Sequence, residues 1–168
     1  MSEPQSKISI DEWLTATAEA LAEVCTTTLG YPGCSLGERR SDNPELTAAY
    51  IALVGDGNAV QLAVASTAEV CAQLSACLLG MEPEEAGELT EADIADAIGE
   101  LVNVVAGGVK TRLADRDAGI QLGLPFVVEG RVERASSTKV AYCDADMGEA
   151  KVVLVIIGDA KLAFKAAA

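Results

Sequence analysis

A carboxylate and an amide three residues apart, Glu100 and Asn103, stand in the run DAIGELVNVVAGGVKTRL from Asp96 to Leu113. On a helix that spacing sets the two side chains on adjacent turns of one face. The carboxylate accepts hydrogen bonds, whereas the amide holds a donor and an acceptor in fixed geometry. Taken alone, such a pair is also common as plain solvated surface. The rest of the chain removes the familiar alternatives. It contains no histidine, which excludes Ser-His-Asp and Cys-His nucleophile systems, histidine-ligated zinc and a phosphohistidine relay. Neither G-x-x-x-x-G-K-[ST] nor G-x-G-x-x-G occurs, so no phosphate-binding loop or dinucleotide fingerprint is present.

The surroundings of the pair are unusual for a helix. At 100° per residue, Ile94, Ile98, Leu101, Val102, Val105 and Val109 fall within roughly 100° of arc and form a core face. Asp96, Gly99, Glu100, Asn103, Gly107 and Lys110 cluster within about 100° on the opposite side and meet solvent or a partner. Each interior glycine costs about 1 kcal/mol relative to alanine, and asparagine is also disfavoured. That face therefore carries small residues at a cost to the helix.

Other candidate chemistry is weaker. CSLGERR, Cys34 to Arg40, spaces a cysteine six residues before an arginine as a cysteine-dependent phosphatase does. It contains Glu38 and leads into SDNPE rather than a helix, so the electropositive surroundings of a reactive thiol are missing. Cys25, Cys71 and Cys77 sit on predicted helices as small core or boundary residues. DADMGEA, residues 144 to 150, misplaces the glycine of a calcium loop and lacks its terminal glutamate, and reads as a turn. No acidic cluster has convincing ligand spacing, so no metal of its own is expected.

Punctuation sets the elements that position these residues. Ser9-x-x-Glu12 has the form of a capping box ahead of a helix over about residues 10 to 28. TAAYIALV and AVQLAVAS flank GDGN at 55 to 58, a strong hairpin signal. Ser66-x-x-Glu69 caps a helix ending at Gly80, and Thr90-x-x-Asp93 opens the helix that carries Glu100 and Asn103. From GIQLGLPFVVEGRVE through KVAYC to AKVVLVIIGDAKLAFKA the chain is rich in β-branched residues and reads as strands. This order predicts a single α+β domain over residues 1–168, with helices packed on a largely antiparallel β-sheet.

Half of the 168 residues are hydrophobic, enough for a real core, and no apolar run reaches the length of a membrane span. The N-terminal MSEPQSK lacks a signal-peptide layout, and five cysteines make an odd number without a C-x-x-C pair. A reduced cytoplasm is expected. Twelve basic against 26 acidic residues give a net charge of −14, which repels nucleic acid and anionic membranes, attracts a partner with an exposed lysine, and solubilises the chain. The acidic loop MEPEEAGEL, residues 81 to 89, belongs to that charge.

Asp96-x-x-x-Glu100-x-x-Asn103, followed by Gly107-Gly108, Lys110 and Leu124-Pro125, resembles the signature of the CheC, FliY and CheX chemotaxis phosphatases. A single copy of it points to the CheX branch. The first helix, the glycine-bracketed hairpin, the capped second helix and the PFVVEG strand also follow the family's order. The resemblance implies a CheC-like architecture and dephosphorylation of an aspartyl phosphate on a CheY-type response regulator. In that reaction the regulator brings its own Mg²⁺ and a lysine; Asn103 would orient the attacking water and Glu100 would engage the regulator's lysine. Asp96, Gly99, Gly107 and Lys110 would border the docking face, the glycines admitting the partner's backbone. The resemblance further implies a homodimer joined through its sheets, for which KVVLVIIG offers a candidate strand edge, although its uninterrupted apolar run equally fits the central strand of a closed monomer core. The competing reading is a non-catalytic adaptor that binds a regulator or motor component through the same helix face.

Overall fold

The computed structural model describes residues 7–159. The strand reading for residues 160–166 lies outside them. The first helix, α1 (Ile10–Val24), starts on a capping box in which the Glu12 amide donates to Ser9 Oγ at 3.2 Å and the Ser9 amide donates to Glu12 Oε2 at 2.8 Å. It relaxes into a π turn over Cys25–Leu29 and stops at Gly30, whose φ of 77° only glycine adopts freely.

Strand β1 (Ser35–Arg40) follows, then the hairpin of β2 (Leu46–Val54) and β3 (Ala59–Ser66) around the Gly-Asp-Gly-Asn turn. Helix α2 (Ala68–Leu78) is capped by Thr67, whose hydroxyl accepts from the Val70 amide at 3.2 Å. The expected cap, Ser66, instead donates from Oγ to the Lys151 carbonyl at 2.8 Å, because it is still the last residue of β3. A short 3₁₀ turn, Pro83–Glu88, lies within the acidic loop. Helix α3 (Glu91–Arg112) then runs for 22 residues from the predicted Thr90 capping box. Strands β4 (Gln121–Leu122), β5 (Phe126–Gly130), β6 (Thr138–Asp146) and β7 (Lys151–Asp159) complete the sheet.

All pairings are antiparallel, in the order β1-β6-β7-β3-β2-β4, with β5 beside β4 on the same flank of β2. The expected architecture of helices on a largely antiparallel sheet is what the chain forms. One expectation fails here. The KVVLVII strand, β7, is hydrogen-bonded to β3 on one side and β6 on the other, so it has no free edge. Its unbroken apolar run reflects burial on both faces. Strand β1 was missed for the opposite reason: SLGERR is almost wholly exposed and carries no apolar alternation.

The two faces of the sheet differ. One packs Ile51, Leu53, Leu62, Leu154 and Ile156 against Trp13, Leu21, Leu74, Leu101 and Val105 of the three helices, forming the main core. The other buries Ala48, Tyr50, Ala63, Ala65, Val153 and Val155 without any helical residue. There the crossing from β5 to β6 lays Val132 over the sheet, held by Asn43, whose Nδ2 donates to the Val132 carbonyl at 3.2 Å.

Candidate functional site

Helix α3 positions the predicted pair and is held rigidly along its length. At its start the Asp93 amide donates to Thr90 Oγ1 at 3.1 Å, and the Thr90 amide donates to Asp93 Oδ2 at 3.0 Å. That contact holds the Asp93 carboxyl below the usual carboxylate range, chiefly through the Thr90 amide. At its end Lys110 and Arg112 complement the helix dipole. Arg112 also donates to Glu23 Oε2 at 2.9 Å, tying α3 to α1. Beneath, Ile98, Leu101, Val102, Val105 and Val109 are buried, as their spacing predicts, and Ile94 packs at the margin of the core.

On the outer face Asp96 and Glu100 are exposed, and Asn103, Gly107 and Lys110 are half-buried. Neither the Glu100 carboxylate nor the Asn103 amide makes a hydrogen bond or ion pair among the described residues. Two polar groups thus stand side by side on a rigid helix, pointing to solvent with their hydrogen-bonding capacity unused.

The three glycines of the helix separate into different roles. Gly99 is buried, not exposed as the helical wheel suggests: a Cβ there would lie 3.8 Å from Cβ and Cγ of Pro125. It faces the chain's own Leu124-Pro125 segment. Gly108 faces α1, where an added Cβ would come within 2.9 Å of Ala20 Cβ. Only Gly107 has nothing within 4 Å of the place a Cβ would take. Of the glycines expected to admit a partner, Gly107 alone has its Cβ position open among the described residues.

The segment beside α3 is fixed as well. The Gly123 amide donates to the Ala52 carbonyl at 2.8 Å, and Pro125 packs on Gly99, so the intervening Leu124 is held outward with 88 % of its surface exposed. Asp117, which the sequence did not single out, secures the far end of α3. Its buried carboxylate accepts from Asn58 Nδ2 at 2.9 Å and from the amides of Asp56 at 3.1 Å, Gly57 at 3.3 Å and Gly119 at 3.0 Å. Asn58 in turn accepts at Oδ1 from the Ile8 amide at 2.8 Å. One acidic side chain thereby joins the β2–β3 turn to the end of α3, with α1's leading residue attached through Asn58.

The remaining candidates gain nothing from the structure. Cys34 immediately precedes β1 rather than a phosphate-cradling loop, and burial pushes its thiol up to about 12. Cys25 and Cys71 are buried, with thiols raised to about 11 by desolvation. A thiol is a poor nucleophile under such conditions. Residues 144 to 150 form the β6–β7 turn, where Gly148 has a φ of 98° and donates to Asp146 Oδ1 at 2.8 Å. Among the described residues no helix is long and apolar enough to cross a membrane.

A cleft of about 660 Å³ between the ends of α1 and α2 and the β6–β7 turn contains none of the predicted site residues. Glu100 and Asn103 stand instead on the outer face of α3. A second protein docking on that open face can supply a wall and the remaining reacting groups.

Comparison with known proteins places this geometry in context. The family model described as "Chemotaxis phosphatase CheX" matches residues 47–143, a span that includes all but the first residue of β2, then β3, α2, α3, Pro125 and most of β6. Among curated proteins, none matches the chain in sequence. Solved structures match its fold. The chemotaxis protein CheX from Vibrio vulnificus superposes with a TM-score of 0.69 at 19% identity, covering 86% of this chain and 97% of that one. A CheX from Desulfovibrio desulfuricans gives 0.68 at 18% identity, with 86% and 97% covered. The CheX–CheY–BeF3–Mg²⁺ complex from Borrelia burgdorferi gives 0.64 at 16% identity, covering 87% of this chain and 96% of that one.

Proposed function

The chain belongs to the CheX family of chemotaxis phosphatases, and from that premise we propose that it hydrolyses the aspartyl phosphate of a CheY-type response regulator through Glu100 and Asn103. The observation that carries this reading is the unpartnered state of both side chains on the outer face of α3. Hydrolysis of an acyl phosphate needs water in line with the bond to be broken and stabilisation of the charge that develops. The water oxygen attacks phosphorus, the bond from phosphorus to the aspartyl oxygen breaks, and inorganic phosphate and a free carboxylate remain.

Asn103 suits the first need, since its carbonyl can accept from the water and its NH₂ can donate to a phosphoryl oxygen, in a geometry fixed by the helix. Glu100, one turn away, accepts a charge-assisted hydrogen bond from the regulator's lysine and fixes the approach. The regulator contributes the Mg²⁺, and this chain needs no cofactor of its own. Asp96, Gly107 and Lys110 border the contact, while Gly99 acts from beneath by seating Pro125. The solved Borrelia complex, in which a CheX is found together with CheY and Mg²⁺, supports this choice of partner.

The whole chain acts as one domain on this reading, in the cytoplasm where receiver domains reside, and as a homodimer with the two α3 faces outward. Phosphate release from a phosphorylated CheY-type regulator in excess over this protein tests the assignment. Many turnovers per chain are expected. A burst limited to one equivalent, or binding without release, would make the chain an adaptor instead.

A further inference from the structure

The polar strip on α3 is flanked by exposed apolar side chains. With Gly99 as the origin of the wheel, Asn103 lies at about 40°, Glu100 at about 100° and Val104 at about 140°. Gly99 marks the side where Pro125 packs, and Gly108, at about 180°, marks the side where α1 packs. Leu124 therefore stands beside the strip on its Asn103 side, and Val104 on its Glu100 side. Their exposures are 88 % and 47 %, and that of Leu124 exceeds every other large apolar side chain of the described residues.

Neither residue is accounted for by the fold. Valine is a weaker helix former than alanine, lysine or glutamate, and at an exposed helical position it gains little from packing. Leu124 is the more telling of the two. Its neighbours are pinned, Gly123 by a hydrogen bond to Ala52 and Pro125 by contact with Gly99, so the backbone cannot fold the leucine inward. An apolar side chain held outward on rigid backbone has already lost the freedom that binding would otherwise remove. Among the described residues nothing lies within 4 Å of the place a Cβ on Gly107 would take, which leaves a shallow place between the two.

We propose that Leu124 and Val104 are the affinity-determining contacts of the docking face, gripping apolar surface on either side of the regulator's lysine while Glu100 and Asn103 act between them. The inference rests on the reading of this face as a regulator phosphatase, and it assigns binding and chemistry to different residues. The partner it fits presents a cationic group bordered by apolar side chains. The acidic side of α3, where Asp93, Asp96 and Glu100 fall at about 120°, 60° and 100° on the same wheel, complements such a cation, and the apolar contacts continue the surface on which that pair stands. Apolar anchors next to desolvated polar groups are the usual makeup of an interface centre.

The test is a double variant, Leu124→Gln with Val104→Gln, measured against a phosphorylated CheY-type regulator by steady-state kinetics and by calorimetric titration. KM and Kd should rise about tenfold or more, consistent with the loss of one to two buried apolar side chains, while kcat changes by less than about twofold. Thermal melting checks that the variant is folded. Leu36→Gln, on β1 at the opposite end of the sheet and itself 39 % exposed, serves as the control and should leave KM and Kd at parent values. Parent-like KM and Kd in the folded double variant, beside a parent protein that turns over, would overturn this assignment and leave the phosphatase reading intact. A parent that binds the regulator without turnover removes the phosphatase reading, and Kd alone then decides the apolar contacts. A parent that does not bind at all removes both.

Discussion

Gly108 brings α3 against α1: a Cβ built on it would lie 2.9 Å from Ala20 Cβ, closer than real Cβ atoms come to one another. Its neighbour Gly107 has nothing within 4 Å at the same place. Adjacent glycines therefore answer to different demands, one from packing and one from the open face.

Substitution by alanine separates them. Gly107→Ala should stabilise the fold by up to about 1 kcal/mol, the helix-propensity gain, and should weaken engagement of a regulator. Gly108→Ala should destabilise it, because overpacking costs about 1–3 kcal/mol and exceeds the same gain. Urea unfolding of both variants measures the signs. Equal shifts would mean that the contact with Ala20 yields freely.

Glu100→Ala and Asn103→Ala should each keep the parent fold, since neither side chain is buried or hydrogen-bonded. Each should lower phosphatase turnover by roughly 10² or more, the scale seen when a positioned polar group is removed from a reacting centre. Turnover at the parent rate in either variant, with an unchanged circular dichroism spectrum, would remove that residue from the mechanism.

Much of this was legible in the sequence because the signals are local. The Ser9 and Thr90 capping boxes, the Gly-Asp-Gly-Asn hairpin and the buried face of α3 all rest on neighbours within a few positions in the chain. What was not legible depends on distant contacts. The wheel placed Gly99 on the open face because it cannot know that Pro125 returns to cover it. Asp117 gives no signal of its own, since its partners at 56 to 58 lie about sixty positions away. The β7 run reads equally as an edge or a centre until β3 and β6 are known to flank it.

Metal dependence should enter only with the regulator. Hard cations take six or more oxygen ligands, or several plus water, and among the described residues no group of three or more Cys, Asp or Glu side chains is arranged to hold one. The isolated protein should keep its melting temperature after exhaustive chelation, while turnover of the phosphorylated regulator responds to added Mg²⁺. Elemental analysis finding a stoichiometric metal that survives chelation would overturn this.

Assembly now needs a different basis from the one the β7 run suggested. With both edges of β7 paired, the outer strands are β1 on one flank and the short β4 and β5 on the other. β1 carries Glu38, Arg39 and Arg40, and charge along an edge discourages another strand from adding. The face of the sheet without helices keeps Phe126 half exposed, stacked on Tyr50 with ring centroids 5.6 Å apart. A homodimer joined through its sheets would use that face and leave both α3 helices outward. Light scattering at micromolar concentration should give about twice the 17.3 kDa chain mass, and a mass near one chain would reject the dimer.

Acid should loosen the scaffold of α3 through Asp117. The Asn58 amide holds this carboxyl below the usual carboxylate range, assisted by the backbone amides of Asp56, Gly57 and Gly119 and opposed by burial. A carboxyl depressed in the folded state stabilises the fold above its unfolded pKa of about 4, and that contribution is lost as pH falls through the lower folded value. Protonation replaces an acceptor of four hydrogen bonds with a group that must itself donate, in a place where every neighbour already donates. Asp117→Ala should therefore destabilise the protein by about 1–3 kcal/mol at pH 7, and the difference from the parent should shrink as pH falls below about 4. Parallel unfolding curves for parent and variant between pH 7 and pH 3 measure both effects, and a gap that stays constant across that range would show that the Asp117 charge is not what joins the β2–β3 turn to α3.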